Sequence, residues 1–122
     1  MTESAPLERP ARSTPLRAYA GEIHADPDAV FAALERRLRE GSTESTLAVD
    51  RAGRFVAVQG GWWYRAEYRV LASDDGARIE HEVLNVAPRL HWAGPLAGRR
   101  VLADSPAAFG ALLTGLAAEL ER

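Results

Sequence analysis

Five stretches of the chain show the apolar and polar alternation, or the β-branched and aromatic content, that is typical of β-strands. The first lies at about 16–24, and four more follow in quick succession at about 44–50, 54–59, 62–72 and 77–86. The links between the last four are short and contain Gly and Asp, as tight turns do. Parallel strands need a long crossover, so these segments are predicted to form an antiparallel meander.

Two further segments carry the apolar spacing of amphipathic helices. The first is predicted at about 27–40, where Asp26 can cap the first turn and Pro27 suits the first helical position. The second is predicted to begin with a similar pair, Ser105 as the cap and Pro106 at the first helical position. Its apolar stripe is predicted to pack on something broad and apolar, and it consists of Phe109, Leu112, Leu113, Leu116 and Leu120.

The remaining segments set the domain boundary. Residues 1–14 are rich in Ser, Thr, Pro, Glu and Arg without periodicity, which predicts a disordered N-terminal tail. Residues 15–122 are then one domain, long enough to enclose a single core. Within it, residues 87–104 are less regular, and a turn or short strand followed by a brief helical piece is predicted there.

The turns between the strands predict which side chains share a face. Gly60-Gly61 is predicted to form a two-residue turn that sets Gln59 opposite Trp62, since glycine adopts positive φ at little cost. A turn at Asp75-Gly76 is favoured for the next hairpin, because the alternative sets two like charges opposite each other, Glu67 and Glu82. The inner face would then carry Phe55, Ala57, Gln59, Trp62, Tyr64, Ala66, Tyr68, Val70, Ile79, His81, Val83 and Asn85, and the outer face Val56, Val58, Trp63, Arg65, Glu67, Arg69, Arg78, Glu80 and Glu82. On the outer face, Arg65, Arg69 and Glu82 are predicted to point to solvent.

This predicted inner face mixes large rings with polar groups. Buried polar groups cost free energy unless they are satisfied, so an ordinary core of this size would hold few of them. A largely apolar wall with a few polar groups is the composition of a ligand cavity. The candidate ligand-binding residues are Phe55, Gln59, Trp62, Tyr64, Tyr68, His81, Asn85, Trp92 and Phe109.

The order of strand, helix, antiparallel meander and C-terminal helix resembles the helix-grip fold of the START-like (SRPBCC) superfamily, and within it the bacterial polyketide cyclase/dehydrase-type family. The resemblance is carried by "YAGEIHADPDAVFAALE", "YRAEYRVLASDDGARIEHEV" and "FGALLTGLAAELER". It implies an α+β fold in which a curved antiparallel sheet wraps around the C-terminal helix and leaves a cavity. It also implies a small hydrophobic or aromatic ligand, and it allows cyclase or dehydratase chemistry.

Two residues of the inner face are candidates for acid/base chemistry. His81 titrates near neutrality, and Tyr68 would lie diagonally within its reach. The alternative, in which His81 only orients a ligand or a water, is favoured because no buried carboxylate is available to polarise it. Whether the protein is an enzyme is therefore left open. No cofactor is expected, and capping explains Asp26 and Asp28, which argues against a metal site near His24.

Charge and composition limit the partners and the cellular location that the sequence predicts. The formal net charge is −2 and the basic residues are scattered, so neither nucleic acid nor a membrane is predicted as a partner. No signal peptide and no apolar run of about 20 residues is recognised, so a cytoplasmic protein is expected. A second hypothesis is a non-catalytic interaction module with a collapsed cavity, in which the outward Trp63 binds a protein; homodimerisation through it is left open. Cavity volume separates the two hypotheses.

Overall fold

The computed structural model describes residues 2–41 and 45–121 and has an α+β fold. One antiparallel sheet is formed by five strands: β1 (Thr14–Ile23), β2 (Thr46–Asp50), β3 (Phe55–Gly60), β4 (Tyr64–Ser73) and β5 (Gly76–Asn85). Their order in the sheet is β1-β5-β4-β3-β2. The predicted meander is confirmed, because strands β2 to β5 are neighbours both along the chain and in the sheet.

The helices lie on one face of this sheet, which we call the inner face. They are α1 (Pro27–Gly41), the short α2 (Gly94–Ala97), which follows a 3₁₀ turn (His91–Ala93), and α3 (Arg99–Leu120). The main core lies between α1, α3 and the sheet. Its largest fully buried members include Ile23, Val30, Leu34, Leu47, Val56, Val70, Ile79 and Leu116.

Helix α1 begins as its sequence predicts. The Asp26 carboxylate accepts hydrogen bonds from the backbone N–H groups of Asp28, at 3.0 Å, and Ala29, at 3.2 Å. These are two of the donors that have no partner within the helix itself. A side-chain cap therefore fixes the point at which the chain leaves β1 and crosses the inner face.

Helix α3 begins earlier than predicted, and the proposed start at Ser105 and Pro106 is wrong. Pro106 lies inside the helix and has no N–H to donate to the carbonyl of Leu102. The Ser105 hydroxyl donates to that carbonyl instead, at 2.9 Å. This replacement bond lets the helix run through a proline, and it extends α3 back to Arg99.

By length and composition alone, α3 could cross a membrane, a property that the sequence analysis did not recognise. Its apolar side chains Leu102, Phe109 and Leu116 are buried against the rest of the protein. Only 22 % of its apolar window is buried, and one helix of this kind is weak evidence for a membrane span.

The β3–β4 register differs from the predicted one. Gly60 pairs with Tyr64, so the connection is the three-residue loop 61–63, in which Gly61 has a φ of +61°. Val56 pairs with Tyr68, and paired residues point to the same side of a sheet. The predicted faces of β3 are therefore reversed: Val56 and Val58 lie on the inner face, and Phe55, Ala57 and Gln59 lie on the outer face.

The β4–β5 register is the one that the sequence analysis rejected. Ser73 pairs with Gly76, which sets Glu67 opposite Glu82. The like charges are compensated by Arg9, whose Nη2 lies 2.8 Å from Glu67 Oε1 and 3.0 Å from Glu82 Oε1. The argument from like charges failed because it did not include Arg9, a cation that is distant in sequence and binds both carboxylates.

Residues 2–12, most of the predicted disordered tail, lie along the outer face; we call them the N-terminal strap. The backbone N–H of Leu47 in β2 donates to the carbonyl of Thr2 at 2.7 Å, and that of Ala5 donates to Leu47 at 3.0 Å. Arg65 donates to the carbonyls of Pro6, at 2.8 Å, and Leu7, at 3.0 Å. A disordered tail would not make these contacts.

The strap changes the environment of the outer face. Arg65 was predicted to face solvent, but it is fully buried and also donates to Glu67, at 3.0 Å, and to Gln59, at 3.1 Å. Glu67 is buried as well. The predicted outward direction of both side chains is correct, but the predicted exposure of Arg65 is wrong, because the strap covers this part of the outer face.

Trp63 is buried and does not form an outward partner surface. Its side chain packs in a small cluster with Val83, Ala87 and Leu102, and Leu16 packs against this cluster. Trp63 is the last residue of the three-residue loop 61–63, and its side chain is directed into this cluster. The neighbouring Trp62 side chain is the more exposed of the two. The premise of dimerisation through Trp63 is therefore lost.

The buried Glu67 predicts a pH dependence of stability. Burial alone would raise its pKa, but hydrogen bonds from Arg9 and Arg65 outweigh burial and hold the pKa below its ordinary value. A carboxyl whose pKa is lower in the folded state stabilises the fold above its unfolded pKa, about 4.3, and loses this contribution as pH falls through the folded pKa. The free energy of unfolding should therefore fall below about pH 4.3.

Chemical denaturation at a series of pH values measures this effect, and Glu67→Gln is the matched variant. The variant should be less stable at pH 7, and its stability should fall less steeply with acid. Equal acid slopes for the two proteins would show that Glu67 is not the coupled group.

Candidate functional site

A partly open cavity of about 370 Å³ lies between the inner face of the sheet, the end of α1 and one side of α3. Ligand pockets typically occupy roughly 300–1,000 Å³, so the interior is not collapsed. The sheet contributes Tyr64, Tyr68 and His81, α1 contributes Leu38, and α3 contributes Val101, Asp104, Ser105, Ala108, Phe109 and Leu112.

Strand geometry brings the polar side chains of the sheet together. Tyr64 and Tyr68 are four residues apart on β4, so they point to the same side. His81 on β5 pairs directly with Tyr68, and the two rings stack with centroids 4.2 Å apart and planes inclined by 7°. The sequence analysis placed these two residues diagonally, so the observed register brings them closer than predicted.

A cluster of four rings forms the floor beside the cavity. Phe109 of α3 lies 5.2 Å from His81 between centroids, and Tyr19 of β1 lies 5.7 Å from both rings. The Tyr19 hydroxyl lies 2.6 Å from Ser105 Oγ, which itself donates to a backbone carbonyl, so Tyr19 is the donor. Stacking and this bond together fix β1, β5 and α3 relative to one another.

The hydrogen bond of His81 determines what its ring can offer a ligand. Nδ1 lies 3.1 Å from the backbone carbonyl of Glu67. A carbonyl can only accept, so we assign the proton to Nδ1. Nε2 is then an acceptor, and it has no hydrogen-bond partner among residues 2–41 and 45–121. Burial lowers the pKa of His81, which keeps the ring neutral at pH 7.

Two tyrosine hydroxyls accompany this acceptor. Neither the Tyr64 nor the Tyr68 hydroxyl has a hydrogen-bond partner within the part of the chain that the structure describes. Burial raises the pKa of both, and for Tyr68 the neighbouring Tyr64 raises it further. Both hydroxyls are therefore protonated donors at neutral pH.

The cavity carries little charge. Asp104 lies on its exposed rim, and none of the described arginines lines it. A second cavity of about 240 Å³ shares Leu38, Tyr64 and Tyr68 with the first and also touches Arg37. The Arg37 guanidinium is only partly engaged: Nη2 donates to the Gly115 carbonyl at 3.1 Å and to Glu119 at 3.0 Å, but its buried Nε has no partner among the described residues. The first cavity, which Arg37 does not line, favours a neutral ligand over an ion.

Four of the nine candidate residues meet at this cavity: Tyr64, Tyr68, His81 and Phe109. The other five lie elsewhere. Phe55 lies on the outer face beneath the Arg69 guanidinium, 5.1 Å from the ring centroid, and Gln59 accepts a hydrogen bond from Arg65 on the same face. The reversed register of β3 places both of them there.

The remaining three candidates lie at the end of the sheet. Trp62 is an exposed residue of the 61–63 loop, and Trp92 is 72 % exposed. Asn85 is buried, but its amide is satisfied locally: Nδ2 donates to the His91 carbonyl at 2.6 Å, and Oδ1 accepts from the N–H of Ala87 at 3.0 Å. It fixes the chain after β5 and does not line the cavity.

Apart from Phe109, the sequence analysis did not name the α3 residues of the cavity as site residues. Val101, Asp104 and Ser105 precede Pro106, the predicted first residue of the helix, so they were not placed on the same helix as Phe109. Leu38 belongs to the predicted apolar face of α1, and that spacing was the available signal.

No protein-family model, curated protein or solved structure matches this chain. Among the described residues, no group of three or more His, Asp or Glu side chains is arranged to hold a metal ion. The interpretation of the site therefore depends on its own geometry and chemistry.

Proposed function

We propose that the protein binds a small, neutral, hydrophobic or aromatic molecule in the cavity between the sheet and α3. One observation carries the proposal: an otherwise apolar wall contains two tyrosine hydroxyls and a histidine nitrogen, Nε2 of His81, that have no partner among the described residues. The cavity is partly open, so these three atoms are accessible from it and are not sealed in the core. What supports the proposal is their arrangement, because two donors and one acceptor on an otherwise apolar wall are the composition of a ligand pocket.

The arrangement of donors and the acceptor defines the ligand class further. Tyr64 and Tyr68 can donate to a carbonyl or ether oxygen, and Nε2 of His81 can accept from a hydroxyl or N–H. Apolar side chains of α1 and α3, such as Leu38 and Leu112, would cover the rest of the molecule. A flat ring or short hydrocarbon that carries a polar group at one end meets these requirements.

We retain the START-like resemblance as part of the proposal. The five-stranded antiparallel sheet and long C-terminal helix are compatible with a helix-grip arrangement, in which the sheet would wrap around that helix. The protein would then be a bacterial, cytoplasmic member of the polyketide cyclase/dehydrase-type family.

Binding is proposed ahead of catalysis. A neutral His81 with a free Nε2 could accept a proton, and Tyr68 could donate one, as a cyclase or dehydratase would require. However, a backbone carbonyl and not a carboxylate holds Nδ1, so a charged imidazolium would gain little stabilisation. The interaction module with a collapsed cavity and an outward Trp63 has lost both of its premises.

Replacing Tyr68 with phenylalanine tests the proposal. Since its hydroxyl has no partner among the described residues, Tyr68→Phe should change the free energy of unfolding by less than about 0.5 kcal/mol. Binding of 2-naphthol, a neutral aromatic alcohol used as the probe, should weaken roughly two- to tenfold with the loss of one hydrogen bond. Chemical denaturation and fluorescence titration measure the two effects.

Tyr19→Phe is the matched control, because its hydroxyl is bonded to Ser105. It should lower the free energy of unfolding by about 1 kcal/mol and leave 2-naphthol binding unchanged. The proposal fails if Tyr68→Phe destabilises the protein as much as Tyr19→Phe and does not affect the probe.

A further inference from the structure

Between β5 and the first turn of α3 the chain exposes several large apolar side chains. Leu90, Trp92, Leu96 and Val101 are 62, 72, 64 and 46 % exposed, respectively. They lie within twelve residues of each other, on a compact segment in which α2 packs against both the 3₁₀ turn and α3. We call residues 88–101 the corner segment.

The corner segment is held in place, so its apolar side chains are presented by a fixed backbone. His91 lies between two partners, with Nε2 2.8 Å from Thr14 Oγ1 and Nδ1 2.8 Å from the Ala87 carbonyl. Asn85 donates to the His91 carbonyl. Leu90 has a φ of +49°, a left-handed conformation that is unfavourable for a bulky residue. The hydrogen bonds of His91, the next residue, hold the backbone in this conformation, in which the Leu90 side chain is exposed.

The same segment is locally basic. Arg89, Arg99 and Arg100 are exposed, and none of them forms an ion pair within the described residues. No Asp or Glu occurs from Val83 to Ala103. Arg12 of the N-terminal strap adds a fourth cation, because its Nη1 donates to the Pro88 carbonyl at 3.4 Å. The acidic residues that set the net charge of −2 lie outside this segment.

We propose that the corner segment docks on the surface of an anionic lipid bilayer. Exposed Trp and Leu side chains that enter the headgroup boundary, with arginines beside them that attract anionic lipids, are the combination that binds membrane interfaces. A second copy of the chain fits poorly, since a symmetric contact would bring Arg99 and Arg100 of both copies together. The proposal replaces the sequence-based expectation of no membrane partner.

Docking at this segment would bring the cavity to the bilayer. Val101 belongs to the corner segment and also lines the cavity, and Asp104 lies on the same rim. The mouth of the cavity would then face the lipid surface. The proposal does not depend on the proposed ligand, because docking requires only the exposed side chains.

Flotation with vesicles tests the docking directly. The full chain should bind vesicles of phosphatidylcholine with phosphatidylserine at low ionic strength, bind phosphatidylcholine alone much less, and dissociate as salt is raised. Arg99→Gln combined with Arg100→Gln should weaken binding roughly tenfold or more. Trp92→Ser combined with Leu96→Ser should weaken it by a similar factor.

Leu71→Ser combined with Arg17→Gln is the matched control, since both residues are exposed and neither belongs to the corner segment. It should bind vesicles as the unmodified chain does. The proposal is overturned if the chain does not bind anionic vesicles at low salt, or if the corner variants bind as well as the control. It is equally overturned if the corner substitutions dissociate a dimer or release an acidic protein while vesicle binding is absent.

Discussion

Replacing Arg65 with methionine is expected to lower the free energy of unfolding by about 3–5 kcal/mol. The guanidinium is fully buried and donates to the carbonyls of Pro6 and Leu7, to Gln59 and to the buried Glu67. Methionine fills much of the space but leaves these acceptors without their donor. Removal of one partner of a buried ion pair is costly because the other charge stays desolvated.

Arg69→Met is the matched control for this change. Arg69 lies on the same strand and the same face, but it is exposed, and its only described interaction is with the Phe55 ring. Its replacement should cost no more than about 1 kcal/mol. Urea denaturation of both variants measures the difference. Equal, small losses would show that the N-terminal strap does not close over Arg65, and that residues 1–14 behave as the sequence predicts.

Replacing Trp63 with alanine is expected to cost about 3–5 kcal/mol, the range for large aromatic side chains removed from a core. Trp63 is buried among Val83, Ala87 and Leu102, and the approach of Gly98 leaves no room for a Cβ against the indole. The cavity left behind would be bounded by the backbone of α3, which cannot easily move inward.

Trp92→Ala provides the contrast, because Trp92 is 72 % exposed and its loss should change stability by no more than about 0.5 kcal/mol. The change in the midpoint of denaturation, measured for both, distinguishes the two environments. If Trp63→Ala behaves like Trp92→Ala, Trp63 faces outward, and the interaction module becomes the better hypothesis.

The sequence predicts the fold better than it predicts the register of the strands. The alternation along β4 and β5 is strict, and it correctly places Tyr64, Tyr68 and His81 on the inner face. Register depends on turn length, and a glycine pair fits a two-residue turn and a three-residue loop equally well. The one extra residue in the loop exchanges the two faces of β3, so Phe55 and Gln59 point away from the site.

Other features were hidden because they depend on contacts between distant residues. Composition alone cannot show that Arg9 bridges Glu67 and Glu82, so the strap appeared disordered and the like-charge pair unacceptable. A serine before a proline signals a helix start, and only the bond from Ser105 to Leu102 explains why α3 continues through Pro106. The local positive charge of the corner segment was not recognised, because the sequence analysis considered the net charge of the whole chain.

The most direct test of ligand binding is native mass spectrometry of the purified protein and of two tryptophan variants of α3. Ala108 lines the cavity at its exposed rim, whereas its equally exposed neighbour Ala107 does not line it. Ala108→Trp should fill the space that a ligand needs, and Ala107→Trp should leave it free. We expect a small neutral molecule to copurify with the unmodified protein and with Ala107→Trp, and to be lost from Ala108→Trp. The absence of any bound molecule from all three proteins, or its equal retention by Ala108→Trp, would contradict a ligand site between the sheet and α3.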